Sequence, residues 1–217
     1  GPILTRLCGL ALPIALSGIL QQLFNSADTA VAGKFASAQA MAAVGSNASV
    51  INLIVTLFVG LSIGANVVVA SMIGSGRHNR VKDAVQTAMT IAVISGVFLT
   101  FFGIIVAPKI LRLISCPPDV IGMAEEYLRL YFLGMPFVMI YNFGSAVLRA
   151  EGDSRRPLYS LIVAGCVNVV LNLYFVIVWH MAAAGVGLAT TISNMINAGL
   201  VLFFLIKEKG YLHLDIR

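Results

Sequence analysis

The sequence predicts an all-α membrane protein, a single bundle of six transmembrane helices over residues 1–217. Hydrophobic residues make up 59% of the 217 residues and charged residues only 11%, whereas soluble domains usually contain about 25% charged residues. The apolar residues also form long runs, separated by short gaps that contain the charges and the turn-forming residues. Together these observations exclude an ordinary soluble fold.

Six apolar runs are long enough to cross a bilayer, which takes about 20 residues of helix. They are 7–33, 43–73, 84–107, 127–148, 158–178 and 184–206. Pro13 and Pro136 lie inside the first and fourth runs, where proline frees a backbone carbonyl and permits a kink. Small residues let helices approach closely in membranes, and we expect this of four glycines: Gly60, Gly64, Gly185 and Gly187.

The basic residues predict the orientation of the chain. Lys and Arg favour the cytoplasmic side of a membrane protein, and their distribution places both chain ends in the cytoplasm, with the spans in the cell membrane. The cytoplasmic side collects Arg6, Arg77, Arg80, Lys82, Arg149, Arg155, Arg156, Lys207, Lys209 and Arg217. The outer side collects Lys34, Lys109, Arg112 and Arg129. The net charge of +5 therefore indicates membrane topology, and we expect no nucleic-acid partner.

Asp28 is the only charged residue between Arg6 and Lys34, in the first span. A charged side chain at the centre of a span costs about 2.5–3.5 kcal/mol on insertion scales, and such residues usually handle ions or substrates. Asp28 lies roughly 15 Å from the middle of the membrane at 1.5 Å per residue, in its outer half. A water-filled cavity open to the outside would hold it there. The alternative is an acid at a helix end that reaches interfacial water.

Polar side chains recur at helical spacing on four spans, and we expect them to line one polar cavity. They are Ser17, Gln21, Asn25 and Asp28; Ser49, Asn52 and Thr56; Asn168 and Asn172; and Thr190, Asn194 and Asn197. The candidates for substrate contact are Gln21, Asn25, Asn52, Tyr131 and Asn194. For any single stripe the alternative is a purely structural hydrogen bond between helices, worth about 0.6 kcal/mol on average.

The sequence does not support an enzyme active site or a metal centre. Gly60-x-Ser62-x-Gly64 matches the pattern of a nucleophile elbow, but that motif needs a strand-to-helix turn and here it lies inside a span. The three histidines do not cluster with acids, and a phosphate-binding glycine loop is missing. We therefore expect no enzyme activity and no metal centre, and no cofactor besides a coupling ion.

Several local patterns, in order along essentially the whole chain, resemble one transporter family. The first is LPIA at 12–15 with QQLFNSADTAVAGK at 21–34, followed by AMAAVG at 40–45. RAEGDSRRP at 149–157 and NVVLN at 168–172 come next, and GVGLATTISN at 185–194 is the last. Together they resemble the multidrug and toxic compound extrusion (MATE) transporters.

The resemblance implies both an architecture and an activity. MATE transporters usually have twelve helices in two similar six-helix lobes, and the chain resembles the N-terminal lobe. The implied activity is antiport, in which inward H⁺ or Na⁺ drives export of amphipathic, often cationic drugs or toxic organic compounds. The implied partners are such a substrate, the lipid bilayer and a missing C-terminal six-helix lobe. Six spans return the chain to its starting side, so that lobe would be a parallel repeat.

The resemblance also implies site residues. The family's first-helix acid maps onto Asp28, its helix-five Asn onto Asn168 and its helix-six Thr onto Thr190. With Asn172 these form the expected ion-coupling set, and Na⁺ would bind at Asp28, Asn168 and Thr190. Many relatives have Asp at the position of Asn172. The chain therefore has one titratable group in this set where those relatives have two.

Two other functions remain as alternatives. A lipid-linked saccharide flippase would need a strongly cationic cavity for pyrophosphate, whereas the charge inside the first span is negative. A membrane scaffold without transport of its own would tolerate the loss of Asp28.

Overall fold

The protein is a bundle of long α-helices. The computed structural model describes residues 2–76, 78–113, 118–181 and 183–207, without the side chains of 46–50, 52, 78 and 79. The helices are α1 (Pro2–Val31), α2 (Ala38–Gly74), α3 (His78–Leu113), α4 (Ile121–Leu133), α5 (Met135–Ala150), α6 (Arg155–Leu173) and α7 (Ala183–Lys207). Within the described ranges no strand is present, and the all-α prediction is confirmed.

Five stretches of the described chain are individually long and apolar enough to span a membrane. They are Pro2–Ala36, Leu53–Gly74, Arg80–Leu113, Arg155–Val178 and Ala183–Lys207. Two of them end in π-helical turns, Ala32–Ala36 after α1 and Tyr174–Val178 after α6. Helices α4 and α5 form a sixth span if the bent pair is counted as one. The protein is therefore a multi-pass membrane protein.

The fourth expected span, 127–148, is broken rather than continuous. Helices α4 and α5 meet at Gly134 with a bend of 47°. Pro136 lies in the first turn of α5, where a missing N–H leaves no hydrogen bond unmade. A Cβ on Gly134 would lie 3.4 Å from Thr191, so the glycine lets α7 pass close to the break.

Hydroxyl groups from two neighbouring helices bind the backbone beside this break. Thr191 Oγ1 on α7 donates to the Leu130 carbonyl oxygen at 2.6 Å, and Thr100 Oγ1 on α3 lies 2.8 Å from the Phe132 carbonyl oxygen. Backbone groups at membrane depth need such partners because lipid offers none. The two hydroxyls therefore hold the bend in place.

Replacing Thr100 and Thr191 together with Val should lower the free energy of unfolding by about 1 kcal/mol, at about 0.6 kcal/mol per hydrogen bond between helices. Thermal unfolding of the detergent-purified protein measures this. Thr90→Val is the matched control, because among the described residues the Thr90 hydroxyl bonds within its own helix alone, to the Gln86 carbonyl oxygen at 2.8 Å. Equal losses in the double variant and the control would contradict the role given to the two hydroxyls.

The α4–α5 pair forms the centre of the bundle. Five of its large apolar side chains are fully buried: Leu128, Phe132, Met135, Met139 and Leu148. Helix α1 lies at the periphery. In its most apolar stretch of 18 residues only 11% is buried, whereas the figure is 39% in α6 and in α7. The exposed side of α1 faces away from the core, and its opposite side packs against α6.

Of the four glycines expected to let helices approach closely, two do so. A Cβ on Gly185 would lie 3.2 Å from Phe175, and one on Gly187 would lie 3.2 Å from Leu130. The expectation for Gly60 and Gly64 is wrong, because a Cβ on either would meet open space. Neither glycine is therefore the point of a close helix contact among the described residues.

Candidate functional site

Asp28 is buried, 4% exposed, where α1 meets α6 and α7. Asn168 Nδ2 on α6 donates to Asp28 Oδ1 at 3.2 Å, and Asn172 Nδ2 donates to the same oxygen. Thr190 Oγ1 on α7 lies 3.4 Å from Asp28 Oδ2. We call these four residues the Asp28 cluster, and the expected ion-coupling set is brought together in it.

The local sequence explains why these side chains meet. Asn168 and Asn172 are one helical turn apart, so both lie on the same face of α6. A Cβ on Gly165, one turn earlier, would overlap the Phe24 ring of α1. The missing side chain thus lets α1 lie directly against α6, which brings Asp28 to the two amides.

The Thr190 hydroxyl can serve both protonation states of Asp28. It lies 2.9 Å from the Val186 carbonyl oxygen, besides its contact with Asp28 Oδ2. A hydroxyl has one hydrogen and two acceptor lone pairs. It can therefore donate to an ionised Asp28, or accept from a protonated Asp28 while it donates to Val186.

Two amide oxygens of the cluster are buried without a donor. Within the part of the chain that the structure describes, Asn168 Oδ1 and Asn172 Oδ1 have no hydrogen-bond partner. Buried polar atoms are nearly always paired in native structures, and an exception calls for an explanation such as a bound ion or water. Oxygen is the ligand atom that hard cations prefer. The cluster thus offers a carboxylate, a hydroxyl and two amide oxygens to a proton or a small cation.

Opposing effects act on the charge of Asp28. Burial in apolar surroundings favours the neutral carboxyl, whereas hydrogen bonds donated to it favour the carboxylate. Both depend on how closely α1 lies against α6 and α7. A movement of α1 would therefore change the charge of Asp28, and a change of charge would act on the position of α1.

A family model matches most of this chain. The MatE model covers residues 13–174. The chain belongs to the MatE family. The resemblance to the MATE transporters is confirmed, and members of this family are transporters rather than enzymes.

Curated relatives and solved structures agree with the assignment to the MatE family. The probable multidrug resistance protein YoeA of Bacillus subtilis is 30% identical over 207 residues, which are 94% of this chain and 45% of YoeA. The probable multidrug resistance protein NorM of Thermotoga maritima is 31% identical over 218 residues, 95% of this chain and 45% of NorM. A crystal structure of MATE in the bent conformation superposes with a TM-score of 0.93 at 23% identity, over 100% of this chain and 48% of that one. The MatE chain thus spans about half the length of its relatives.

The predicted stripe on the first span has both buried and exposed members in the structure. Ser17 and Asp28 are buried, and the Ser17 hydroxyl donates to the Pro13 carbonyl oxygen at 2.9 Å. Gln21 and Asn25 are exposed, outside the Asp28 cluster, although helical spacing places all four residues on one side of α1. The described neighbouring helices therefore cover only part of the stripe.

The remaining expected substrate contacts lie on three helices. Asn194 is half-buried on α7 and Tyr131 is half-buried on α4. The side chain of Asn52 on α2 lies outside the described residues, as does that of Ser49. Among the orientation-setting charges, Arg77, Lys209 and Arg217 also lie outside the described residues.

Asn197, in the predicted stripe of the sixth span, has a structural role. It is buried and accepts from the Ser160 hydroxyl of α6, through its backbone oxygen at 3.1 Å and through its side-chain oxygen. Ser193 of α7 donates to the Ala164 carbonyl oxygen at 2.9 Å. These bonds fix α6 against α7, so that Asn168 and Thr190 lie side by side.

Sequence reasoning missed two residues that shape the Asp28 cluster. Gly165 permits the contact between α1 and α6, and its signal was a small residue one turn before Asn168. Tyr127 of α4 is buried, and a Cβ on Gly187, one turn before Thr190, would lie 3.3 Å from its ring. Tyr127 lies one turn before Tyr131, so helical spacing from that candidate would have found it.

Proposed function

We propose that this MatE chain forms one lobe of an ion-coupled antiporter that exports amphipathic, often cationic drugs or toxic organic compounds. Inward movement of H⁺ or Na⁺ drives the export. The observation that carries the proposal is Asp28, a buried acid in contact with Asn168, Asn172 and Thr190 from two other helices. Among the described residues, the amide oxygens of both Asn side chains have no hydrogen-bond partner. A carboxyl built in this way is suited to loading and release of one small cation.

Each coupling ion has a defined place in this proposal. A proton would bind an oxygen of Asp28 and be held by the Thr190 hydroxyl. Na⁺ would bind the carboxylate of Asp28 and Thr190 Oγ1. Rotation of the Asn168 amide group by about 180° around its Cβ–Cγ bond would turn Oδ1 towards the ion in place of Nδ2. The Asn172 amide group can rotate in the same way. The two amides can therefore donate to the carboxylate or offer oxygen ligands to Na⁺, and neither case needs a second acid.

Loading of the ion would weaken the attachment of α1 to α6. The hydrogen bonds from Asn168 and Asn172 to Asp28 join these two helices, and an ion bound to the carboxylate would weaken both bonds by neutralising the charge of their acceptor. Pro13 lies inside α1, fifteen residues before Asp28, and is the natural point for this helix to bend. Movement of the part of α1 after Pro13, which carries Asp28, would then open or close the route of the substrate.

The substrate would bind next to the Asp28 cluster, between this lobe and a second one. The exposed Gln21 and Asn25, with Asn52, Tyr131 and Asn194, supply polar and aromatic contacts for an organic cation. YoeA and NorM, each named a probable multidrug resistance protein, support this class of cargo. Their length, about twice that of this chain, supports a second lobe as partner, and the distribution of Lys and Arg supports a cell-membrane protein with both ends in the cytoplasm.

Dependence on the two ion gradients tests the proposal. Cells expressing the full reading frame that contains this chain are loaded with a fluorescent organic cation, and efflux is followed with Na⁺ replaced by choline or with the proton gradient collapsed by a protonophore. We expect one treatment to reduce efflux to the level of cells without the protein. Efflux that continues when both gradients are absent would contradict ion coupling, and no efflux under any condition would favour the flippase or the scaffold.

A further inference from the structure

A groove of about 640 Å³ lies between α2 and α3, and none of the residues of the Asp28 cluster lines it. Its walls include Leu61, Val68 and Ile91, each at least 42% exposed, and Phe143 of α5, 2% exposed, closes it from inside. Pockets that hold drug-sized ligands have volumes of about 300–1,000 Å³. The groove is thus large enough for a ligand and is open towards the surroundings of the bundle.

One end of this groove has a pair of opposite charges. Arg80 and Asp83 line it in the first turns of α3, and both are exposed. Their spacing of three residues is the spacing at which Asp153 and Arg156 form an ion pair. Arg80 and Asp83 form none within the described chain. Among the described residues, each of the two charges thus lies on the groove without an ion-pair partner.

The length of the groove matches one leaflet of a bilayer. From Arg80 to Ile91 on α3 the helix rises about 16 Å at 1.5 Å per residue, and Met72 to Leu61 on α2 gives the same length. The hydrocarbon core of a bilayer is about 30 Å thick. The charged end lies at the end of the span that starts at Arg80, so the apolar walls run from the membrane surface to its middle.

We propose that this groove binds one aminophospholipid, with an acyl chain between α2 and α3 and its headgroup on Arg80 and Asp83. The guanidinium of Arg80 donates to the phosphate, a pairing for which Arg geometry is well suited. The primary ammonium of phosphatidylethanolamine donates to the carboxylate of Asp83. Phosphatidylcholine has no ammonium N–H to donate, and phosphatidylglycerol has no cation for Asp83. The headgroup that complements both charges is the aminophospholipid.

Lipid add-back to the delipidated full-length protein tests the site. The protein is purified in detergent, supplied with phosphatidylethanolamine, phosphatidylcholine or phosphatidylglycerol of identical acyl chains, and examined by native mass spectrometry and thermal unfolding. We expect phosphatidylethanolamine to be retained best and to raise the unfolding temperature most. Asp83→Asn should remove the preference for phosphatidylethanolamine over phosphatidylcholine.

Two glycines of α2 give a matched pair of variants. Gly64 lines the groove, and Gly60, one turn away, does not; a Cβ on either meets open space, so both variants should fold. Gly64→Leu fills the groove and should abolish retention of phosphatidylethanolamine, whereas Gly60→Leu should retain it.

Three results would overturn the proposal. The first is equal retention of the three lipids, which indicates ordinary bilayer contact. The second is an unchanged preference in Gly64→Leu. The third is the absence of retained lipid in the unaltered protein, which indicates that another part of the full-length chain covers the groove. None of these readouts depends on ion coupling at Asp28.

Discussion

Replacing Asp28 with Asn is expected to abolish efflux of an organic cation by the full-length protein while leaving the protein folded in the membrane. Asn has nearly the same shape, and its amide oxygen can still accept from Asn168 and Asn172. It cannot take up a proton at physiological pH, and it has no charge to balance Na⁺. Efflux from loaded cells, with the amount of protein measured by immunoblot, gives the result.

Asp119→Asn is the matched control for this experiment. Asp119 is an exposed acid between α3 and α4, so the same chemical change there should leave efflux unchanged. Substrate binding to purified Asp28→Asn protein adds a second readout, since loss of coupling should stop turnover and still allow binding. Unaltered efflux by Asp28→Asn would show that Asp28 does not couple transport, and would favour a structural role for its buried contacts.

Replacing Gly165 with Leu is expected to destabilise the protein and to stop transport. Even the Cβ of the new side chain would overlap the Phe24 ring, and overpacking of this kind typically costs about 1–3 kcal/mol. The strain would be relieved by moving α1 away from α6, which separates Asp28 from Asn168 and Asn172. We therefore expect a lower unfolding temperature in detergent together with loss of efflux.

A second substitution separates this effect from a general intolerance of leucine in the spans. Gly199→Leu on α7 should be neutral, because a Cβ there meets nothing within 4 Å. Combining Gly165→Leu with Phe24→Ala makes room at the contact and should recover part of the stability, as coupled neighbours do in a double-mutant cycle. Stability of Gly165→Leu equal to that of the unaltered protein would contradict the close approach of α1 and α6.

The Asp28 cluster was largely predictable, because its members are unusual in apolar spans. An acid in the first span, two Asn one turn apart and a Thr in the last span stand out against their neighbours, and the family resemblance joined them. The difference in burial along the first-span stripe was not predictable. A helical wheel shows which residues share a face, whereas burial of Ser17 and exposure of Gln21 depend on which neighbouring side chains each residue meets along the length of α1.

The same limit explains the break in the fourth span and the role of the glycines. Pro136 indicated a kink, but its position at Gly134 depends on hydroxyls of Thr100 and Thr191 from other helices. Gly60 and Gly64 form a recognised packing pattern and yet face open space, whereas Gly165 belongs to no such pattern and permits a close contact between α6 and the Phe24 ring of α1. The position of a bend and the closeness of a glycine contact depend on the residue that faces them from another helix. That residue lies far away in the sequence.

The sequence distance between Asp28 and its partners has a consequence for biosynthesis. Asn168 and Asn172 follow Asp28 by 140 and 144 residues. At a synthesis rate of about 5–20 residues per second, roughly 7–30 s pass between translation of the acid and translation of the amides. The first span therefore emerges from the ribosome and meets the insertion machinery while its carboxyl has no partner from this chain. During that interval the carboxyl of Asp28 must be solvated by water, lipid headgroups or the insertion machinery, because Asn168, Asn172 and Thr190 have not yet been synthesised.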